Sequence, residues 1–412
     1  MIVRICLLAV VACLVGTGCS VNEVVVAEET KLLVAESPVD EALLLDIGIV
    51  EFDPGIPENN NPQKSRVFED IRNAETRFLA YHLKTTLQGT GHWGAVRVIP
   101  SRSAFTDVII SGQIEKSDGE FVALTISVDD AAGRHWFSKS YEAQTGMTSY
   151  SERRDRRRDP YQKAFNDIAN DLQMYVAGLS ARQLQQTRQT SELQFFADMS
   201  PLAYAGHLKT DDDGVVQISR LPAENDPAVV RLRQIRERDR LVVDTLNEHY
   251  ANFYYGIAIP YRSWRKNARQ ESINFREVKR SARMQALVGV VVLAGSLAID
   301  TNSSSSSRTR RVNRGLQNMG IYEGFNRVIG GLQRNSEADI HLDTIAELSE
   351  SFGAEAAPMV VNVEGQERRL SGTAQAQYES WRKLLREIYE AETGFDSANE
   401  SVAPVRTAEN PQ

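Results

Sequence analysis

Two hydrophobic periods share this chain, and where each one holds predicts the elements. Residues 43–53, LLLDIGIVEFD, form an apolar run with some alternation, which predicts a buried strand. A loop rich in Pro and Asn follows at residues 54–62. From about residue 66 to 88 the period turns helical. Val67, Ile71, Ala74 and Phe78 share one face, Leu79, Leu83 and Leu87 continue it, and Gly89 and Gly91 stop it. A short strand is expected at residues 95–100 and a meander at 107–116, 120–129 and 134–142. Its turns carry Ser117-Asp118-Gly119 and the residues 130–133. Asp159-Pro160 then opens a helix with a capping acid before a first-turn proline, its buried face being Phe165, Ile168, Leu172 and Val176. The order β-α-β-β-β-β-α predicts one α+β layer domain over residues 41–180.

Residues 181–226 read as a linker with a hairpin, 207–210 against 215–219, around Asp211-Asp212-Asp213-Gly214. Three acids before a glycine suggest calcium, but a calcium loop spaces its ligands at alternate positions and supplies more of them, so a tight turn is expected. From Asp226-Pro227 the pattern is helical. Ala228, Leu232, Ile235, Asp239, Val242, Leu246, His249 and Phe253 recur at steps of four and three, a heptad seam with two polar members. Leu232, Ile235, Val242 and Leu246 are its candidate interface, with a second copy or another helical partner. Asp239 and His249 lie about 15 Å apart along a helix, so within one chain they cannot pair. They set register or face water. Pro260 should kink or interrupt this helix, and Trp264, Ala268, Phe275, Val278 and Ala282 keep the spacing beyond it.

Residues 284–299, MQALVGVVVLAGSLAI, carry no charge and are flanked by basic residues. Sixteen residues fall short of the roughly 20 needed to cross a bilayer. Gly289 and Gly295 in this run, with Gly320 and Gly324 in the next, suit a packed helical hairpin across the serines at 303–307. The less favoured alternative is entry into a membrane. A further helix is expected at 341–352, then a hairpin of 358–363 against 368–371. A last helix at 373–393 has Ala374, Tyr378, Trp381, Leu385 and Ile388 inward, and a disordered tail follows from 396. The whole is expected to be α+β: a small N-terminal α/β sandwich, then a mainly helical domain over residues 227–395. One local echo stands out. Tyr261-Arg-Ser-Trp264-Arg-Lys266 recurs as Tyr378-Glu-Ser-Trp381-Arg-Lys383. Two helices that pack alike and chance similarity both account for it.

The first nineteen residues place the chain. Arg4 precedes an uncharged apolar run and then small residues up to Cys19, the build of a bacterial secretory signal. The ending Gly16-Thr17-Gly18-Cys19 resembles the lipobox of bacterial lipoproteins, although Gly16 stands where that family usually has Leu. The resemblance implies a signal at 1–18, lipid on Cys19 and a polar tether to residue 40. Ser20, in place of an Asp that retains such proteins at the inner membrane, resembles the outer-membrane class of Gram-negative bacteria, here expected to face the periplasm. All three cysteines (Cys6, Cys13, Cys19) lie in this region, so the mature chain has no thiol for a disulfide or a metal. The net charge of −8, or −9 once Arg4 leaves with the signal, argues against nucleic acid. The strand at 47–52 and the one at 107–114 resemble those in the N-terminal domains of the curli-secretion lipoprotein family and of the Tol-system propeller protein family. That likeness covers about a third of the chain and implies envelope machinery.

No catalytic motif stands out. There is no Gly-x-Ser-x-Gly elbow and no phosphate loop, and the six histidines are scattered, none with the spacing of a helix zinc site. No cofactor or metal is expected. The basic run Arg153, Arg154, Arg156, Arg157 and Arg158, broken by Asp155, reads as a solvated linker rather than a lipid headgroup site. It and residues 191–226 are the places a protease should reach first. The function expected is that of a lipid-anchored, non-enzymatic envelope scaffold or subunit with the membrane, a homo-oligomer or an envelope protein as partners. The alternative is a hydrolase of wall or surface polymer whose paired carboxylates the sequence does not locate.

Overall fold

Ile47, Ile49 and the glycine between them set the middle of the structure. In the computed structural model, which describes residues 29–60, 67–102, 105–146, 148–151, 158–223, 225–297, 347, 350, 359–363 and 366–393, these residues belong to β1 (Ile47–Val50). β1 lies parallel to both its neighbours, β2 (Val96–Ile99) and β3 (Val108–Ser117). β4 (Phe121–Asp130) and β5 (His135–Gln144) continue antiparallel, giving the sheet order β2-β1-β3-β4-β5. A strand in this position is covered on both faces, which is why it reads as an unbroken apolar run. Gly48 is required there: a Cβ would stand 2.6 Å from Ile99 Cδ1 and 2.7 Å from Thr106 Oγ1.

Farther out the sheet has two different faces. Val122, Leu124, Ile126 and Val128 of β4 are buried, while Thr125 and Ser127 between them face the other way with Ser138 and Ser140 of β5. On the apolar face lie α1 (Glu69–Gln88) and α2 (Gln162–Ala177), packed side by side. The strands, both helices and both tight turns stand where the hydrophobic pattern put them, and the chain is α+β. Gly119 and Gly133 take the positive φ their turns need. Gly119 also lies against the backbone of the long helix, where a Cβ would come within 2.1 Å of the Arg265 carbonyl oxygen.

Three expectations about the elements need correction. Residues 181–199 are not linker but helix α3 (Ala181–Met199), followed by a turn of helix at Pro201–Tyr204. Its first half is polar apart from Leu184, and the other large apolar side chains, Leu193, Phe195, Phe196 and Met199, crowd the far end, so no helical period shows. The signal that was present is Ser180 and Gln183, a reciprocal capping box. The tether is shorter than expected, because residues 30–35 are bound to α2 and to the end of α1. Finally, the helix from Pro227 is not interrupted at Pro260. α4 (Pro227–Leu297) runs 71 residues, about 106 Å at 1.5 Å per residue. Proline leaves the carbonyl four residues earlier without a donor; that residue is Gly256, exposed and with open space around it.

β6 (Leu208–Thr210) and β7 (Val216–Ile218) form the expected hairpin, and β8 (Met359–Val363) and β9 (Gln366–Leu370) the second one. At the first, Asp211 accepts from Val215 N–H, Asp213 N–H and Gln217 Nε2, so its carboxylate shapes the turn. Among the described residues no cluster of acids, His or Cys could hold a metal. α5 (Ala374–Thr393) buries all five residues of its predicted stripe against α4.

The seam on α4 is buried, but inside this chain. Leu232 and Ile235 are 0% exposed, Leu246 2% and Val242 6%, in one hydrophobic cluster that runs from Leu45 to Tyr389. These four residues therefore do not offer a free surface to a second copy. A period of three and four says only that one side of a helix is covered, and here the cover is the chain's own body and α5. Gly289 and Gly295 lie on the last part of α4; Gly320, Gly324, the tail and nearly all of residues 341–352 lie outside the described residues. Among the described residues no helix is long and apolar enough to cross a membrane.

Candidate functional site

The chemistry of this protein is gathered where α4 meets the body, and it starts from one arginine. Arg265 is 2% exposed and lies across Asp159 as a bidentate pair, Nη1 to Oδ1 at 2.9 Å and Nη2 to Oδ2 at 2.8 Å. Asp159 stands just ahead of α2, where the sequence marked it as a cap. It is not that cap: the helix starts at Gln162 with Tyr161 as its N-cap, and Asp159 accepts Tyr161 N–H at 2.8 Å in the turn before it, while both carboxylate oxygens serve Arg265, 106 residues away. Aromatic faces complete the enclosure: the guanidinium lies 4.3 Å from the Tyr261 ring centroid, 5.0 Å from Tyr161 and 5.7 Å from Phe78. Burial alone would raise the Asp159 pKa, but the adjacent Arg265 outweighs it and holds the carboxyl well below its usual range.

A second buried acid adjoins the first. Glu75 Oε1, on α1, accepts from Tyr261 Oη at 2.6 Å and from Ser117 Oγ at 2.5 Å, with Arg72 Nε 3.7 Å from the other oxygen. Here burial prevails over these partners and pushes the carboxyl up. Below it, His82 bridges Tyr254 Oη at 2.8 Å and Gln162 Oε1 at 2.9 Å. Since the amide oxygen can only accept, Nε2 carries the proton and Nδ1 accepts from the tyrosine. Burial lowers the His82 pKa, in keeping with a neutral ring.

That ring gives a pH prediction. A histidine whose folded pKa is lowered takes up its proton preferentially in the unfolded chain, so stability rises with pH below the ordinary value near 6.5. On acidification from there the stability contributed by neutral His82 is lost, and that of Asp159 follows as pH falls below about 4. Glu75, with its pKa raised, works in the opposite sense. Urea midpoints measured between about pH 7 and 5 should fall less steeply in His82→Gln than in the wild type. Equal slopes would remove His82 from the account.

The second polar centre seats α5. Asp239, one of the two polar members of the seam, is 3% exposed and accepts from Trp381 Nε1 at 3.1 Å and Tyr378 Oη at 3.3 Å, with Arg382 Nη1 at 3.5 Å. Arg382 also pairs with Asp198 of α3 and lies 5.0 Å from the rings of both Phe105 and Phe195. The sequence echo is thus a repeated device. In each copy the Tyr and Trp are buried, the Tyr hydroxyl donates to a buried acid, and the Arg that follows Trp pairs with an Asp among aromatic rings. Asp239 does not face water; its contacts are with α5. His249 is only partly buried and stands apart from it.

Asp239 and Phe105 of the second centre border a small cleft of about 20 Å³ with Arg97 and Arg236. Two larger clefts lie along α3, and the acids named below are engaged in them. A cleft of about 510 Å³ between α3 and α4 holds Glu192 in a bidentate pair with Arg233, and Glu237 against Arg240. A groove of about 720 Å³ beside the first hairpin is lined by Asp129, Asp130 and Asp198. Asp129 meets Arg102 and His135, Asp130 accepts Ala132 N–H and Trp136 Nε1, and Asp198 meets Arg382 and Arg386. Of the residues singled out from sequence, Ile235 and Val242 lie one helical turn to either side of Asp239, Leu232 and Leu246 one turn farther, and Cys19 lies outside the described residues. Glu75, Arg265, Arg382 and Asp198 were not singled out, and Asp159 was marked only as a helix cap; the arginine after each Trp of the echo was the available signal. No protein-family model matches the chain, and no curated protein matches it.

Proposed function

We propose that this chain is a lipid-anchored, non-enzymatic protein of the bacterial cell envelope, held at the outer membrane through Cys19. Its body would serve as a scaffold or subunit that carries a long helix. The observation behind this reading is how the polar interior is used. Arg265–Asp159 and Tyr261–Glu75 are sealed, and they join the body to α4 rather than to a cavity. Further bonds extend the grip along the helix: Arg240 to Asp46, Arg97 to Asp244, Val98 N–H to Asn247, Tyr250 to Glu51, Ser272 to the Asp118 carbonyl and Arg276 to Glu120. Arg240 to Arg276 is about 54 Å of helix. Asn247 also covers the edge of β2, which would otherwise be open to strand pairing.

The test is crosslinking in intact cells. Leu241, Tyr255 and Ile259 point out from α4, 66–75% exposed. Photoreactive residues there should give discrete adducts with envelope proteins or a second copy, whereas one at Glu142 on β5 should not. No adduct from α4, together with cleavage of wall polymer by the purified chain, would replace the scaffold by the hydrolase.

A further inference from the structure

The strand of chain that enters the body does not hang free. Asn166 Nδ2 donates to the Thr30 carbonyl at 2.7 Å. Asn170 Nδ2 donates to the Lys31 carbonyl at 2.9 Å, while its Oδ1 accepts Leu33 N–H at 2.8 Å. Ala35 N–H reaches the Thr90 carbonyl at 2.8 Å. Residues 30–33 are therefore fixed along one stripe of α2, and Leu32 turns into the core. The outer side of this strip is apolar. Leu33 is 44% exposed, Val34 54% and Val39 36%, and Met174, one helical step beyond Asn170 on α2, is 57% exposed. A shallow depression of about 240 Å³, lined by Val39, Leu43, Val176 and Leu179 together with His92 and Gln173, continues it. Arg158, paired with Glu29, and Lys31 stand at its margin.

The position of this strip in the chain says what covers it. Glu29 follows Cys19 by ten residues, and ten residues reach at most about 35 Å when fully extended. If Cys19 carries lipid, this is the part of the body that the anchor holds nearest the bilayer. We propose that Leu33, Val34, Val39 and Met174 form the surface on which the protein rests against the lipid. The inference depends on the lipid-anchor reading and adds to it the face and the orientation. Side chains of this kind enter the boundary between headgroups and acyl chains and add to the hold of the lipid on Cys19. Exposed Glu36 and Asp40 lie on the same stretch, so the apolar side chains rather than net charge are the recognising element.

The mature chain has no cysteine besides Cys19, so single reporter positions are available. Val34→Cys, Met174→Cys and, as controls on α4, Leu241→Cys and Tyr255→Cys would each be labelled with an environment-sensitive dye in the full lipidated chain. The carrier would be vesicles of phosphatidylethanolamine and phosphatidylglycerol that contain a quencher attached to the acyl chains. Positions 34 and 174 should brighten several-fold, shift to the blue and be quenched, while 241 and 255 stay as they are in detergent-free buffer. With palmitate present on Cys19, equal signals at all four positions, or quenching at 241 and 255 instead, would overturn the face and leave the anchor standing. Blue-shifted but unquenched dye at 34 and 174 would mean that a protein covers the strip, and would equally overturn it. Wild-type protein that carries no palmitate would overturn anchor and face together.

Discussion

Arg265→Met should cost about 3–5 kcal/mol of stability, the range for breaking a buried pair from one side. The loss comes less from the attraction removed than from what remains, an Asp159 carboxylate sealed from water with Tyr161 N–H as its backbone donor. Asp159→Asn in the same chain should restore most of it, since the asparagine needs no countercharge and methionine fills much of the arginine's space. Urea unfolding of the two single variants, the double variant and the wild type gives the coupling directly. A double variant no more stable than Arg265→Met would mean that Arg265 acts through packing on Tyr261 and Phe78 alone.

Trp381→Ala should be comparably costly, about 3–5 kcal/mol for an aromatic side chain lost from a packed interior. Its consequences should be local where those of Arg265→Met are general. Trp381 Nε1 is the nearer of the two neutral donors to Asp239, and without it the seat of α5 keeps only Tyr378 and Arg382. Burial already raises the Asp239 pKa, so the loss of a donor that favours its charged form should raise it further. The measurement is amide exchange together with trypsin, which cuts after Arg382, Lys383 and Arg386. α5 should exchange and be cut in the variant while α1 and α2 keep their protection. Uniform loss of protection across the molecule would show that α5 is not a separable layer.

Much of the fold could be read from apolar spacing. The meander, α1, α2 and the stripe of α5 are elements whose period and whose turn residues agree, as with Ser117-Asp118-Gly119 before β4. α3 could not be read that way, because Gln, Arg and Thr surround the single Leu184 in its first half and its other large hydrophobic residues are bunched around Phe195 and Phe196. The long seam was visible but its partner was not. Leu232 and Leu246 are as apolar against their own sheet and α5 as they would be against a second copy. The two polar centres were hidden for a related reason. Asp159 reads as a helix cap and Asp239 as a flaw in a heptad, since the residues that explain them, Arg265 and Trp381, lie 106 and 142 residues away. The echo around Trp264 and Trp381 was the one local sign that two helices are seated alike.

The anchor itself is tested most directly by radioactive palmitate given to cells that express either the wild type or Cys19→Ser. The account predicts label on the wild type, shortened by removal of residues 1–18. It predicts an uncut, unlabelled precursor for the variant. Equal labelling of the two, or a wild type that keeps its first eighteen residues and takes no label, would contradict it.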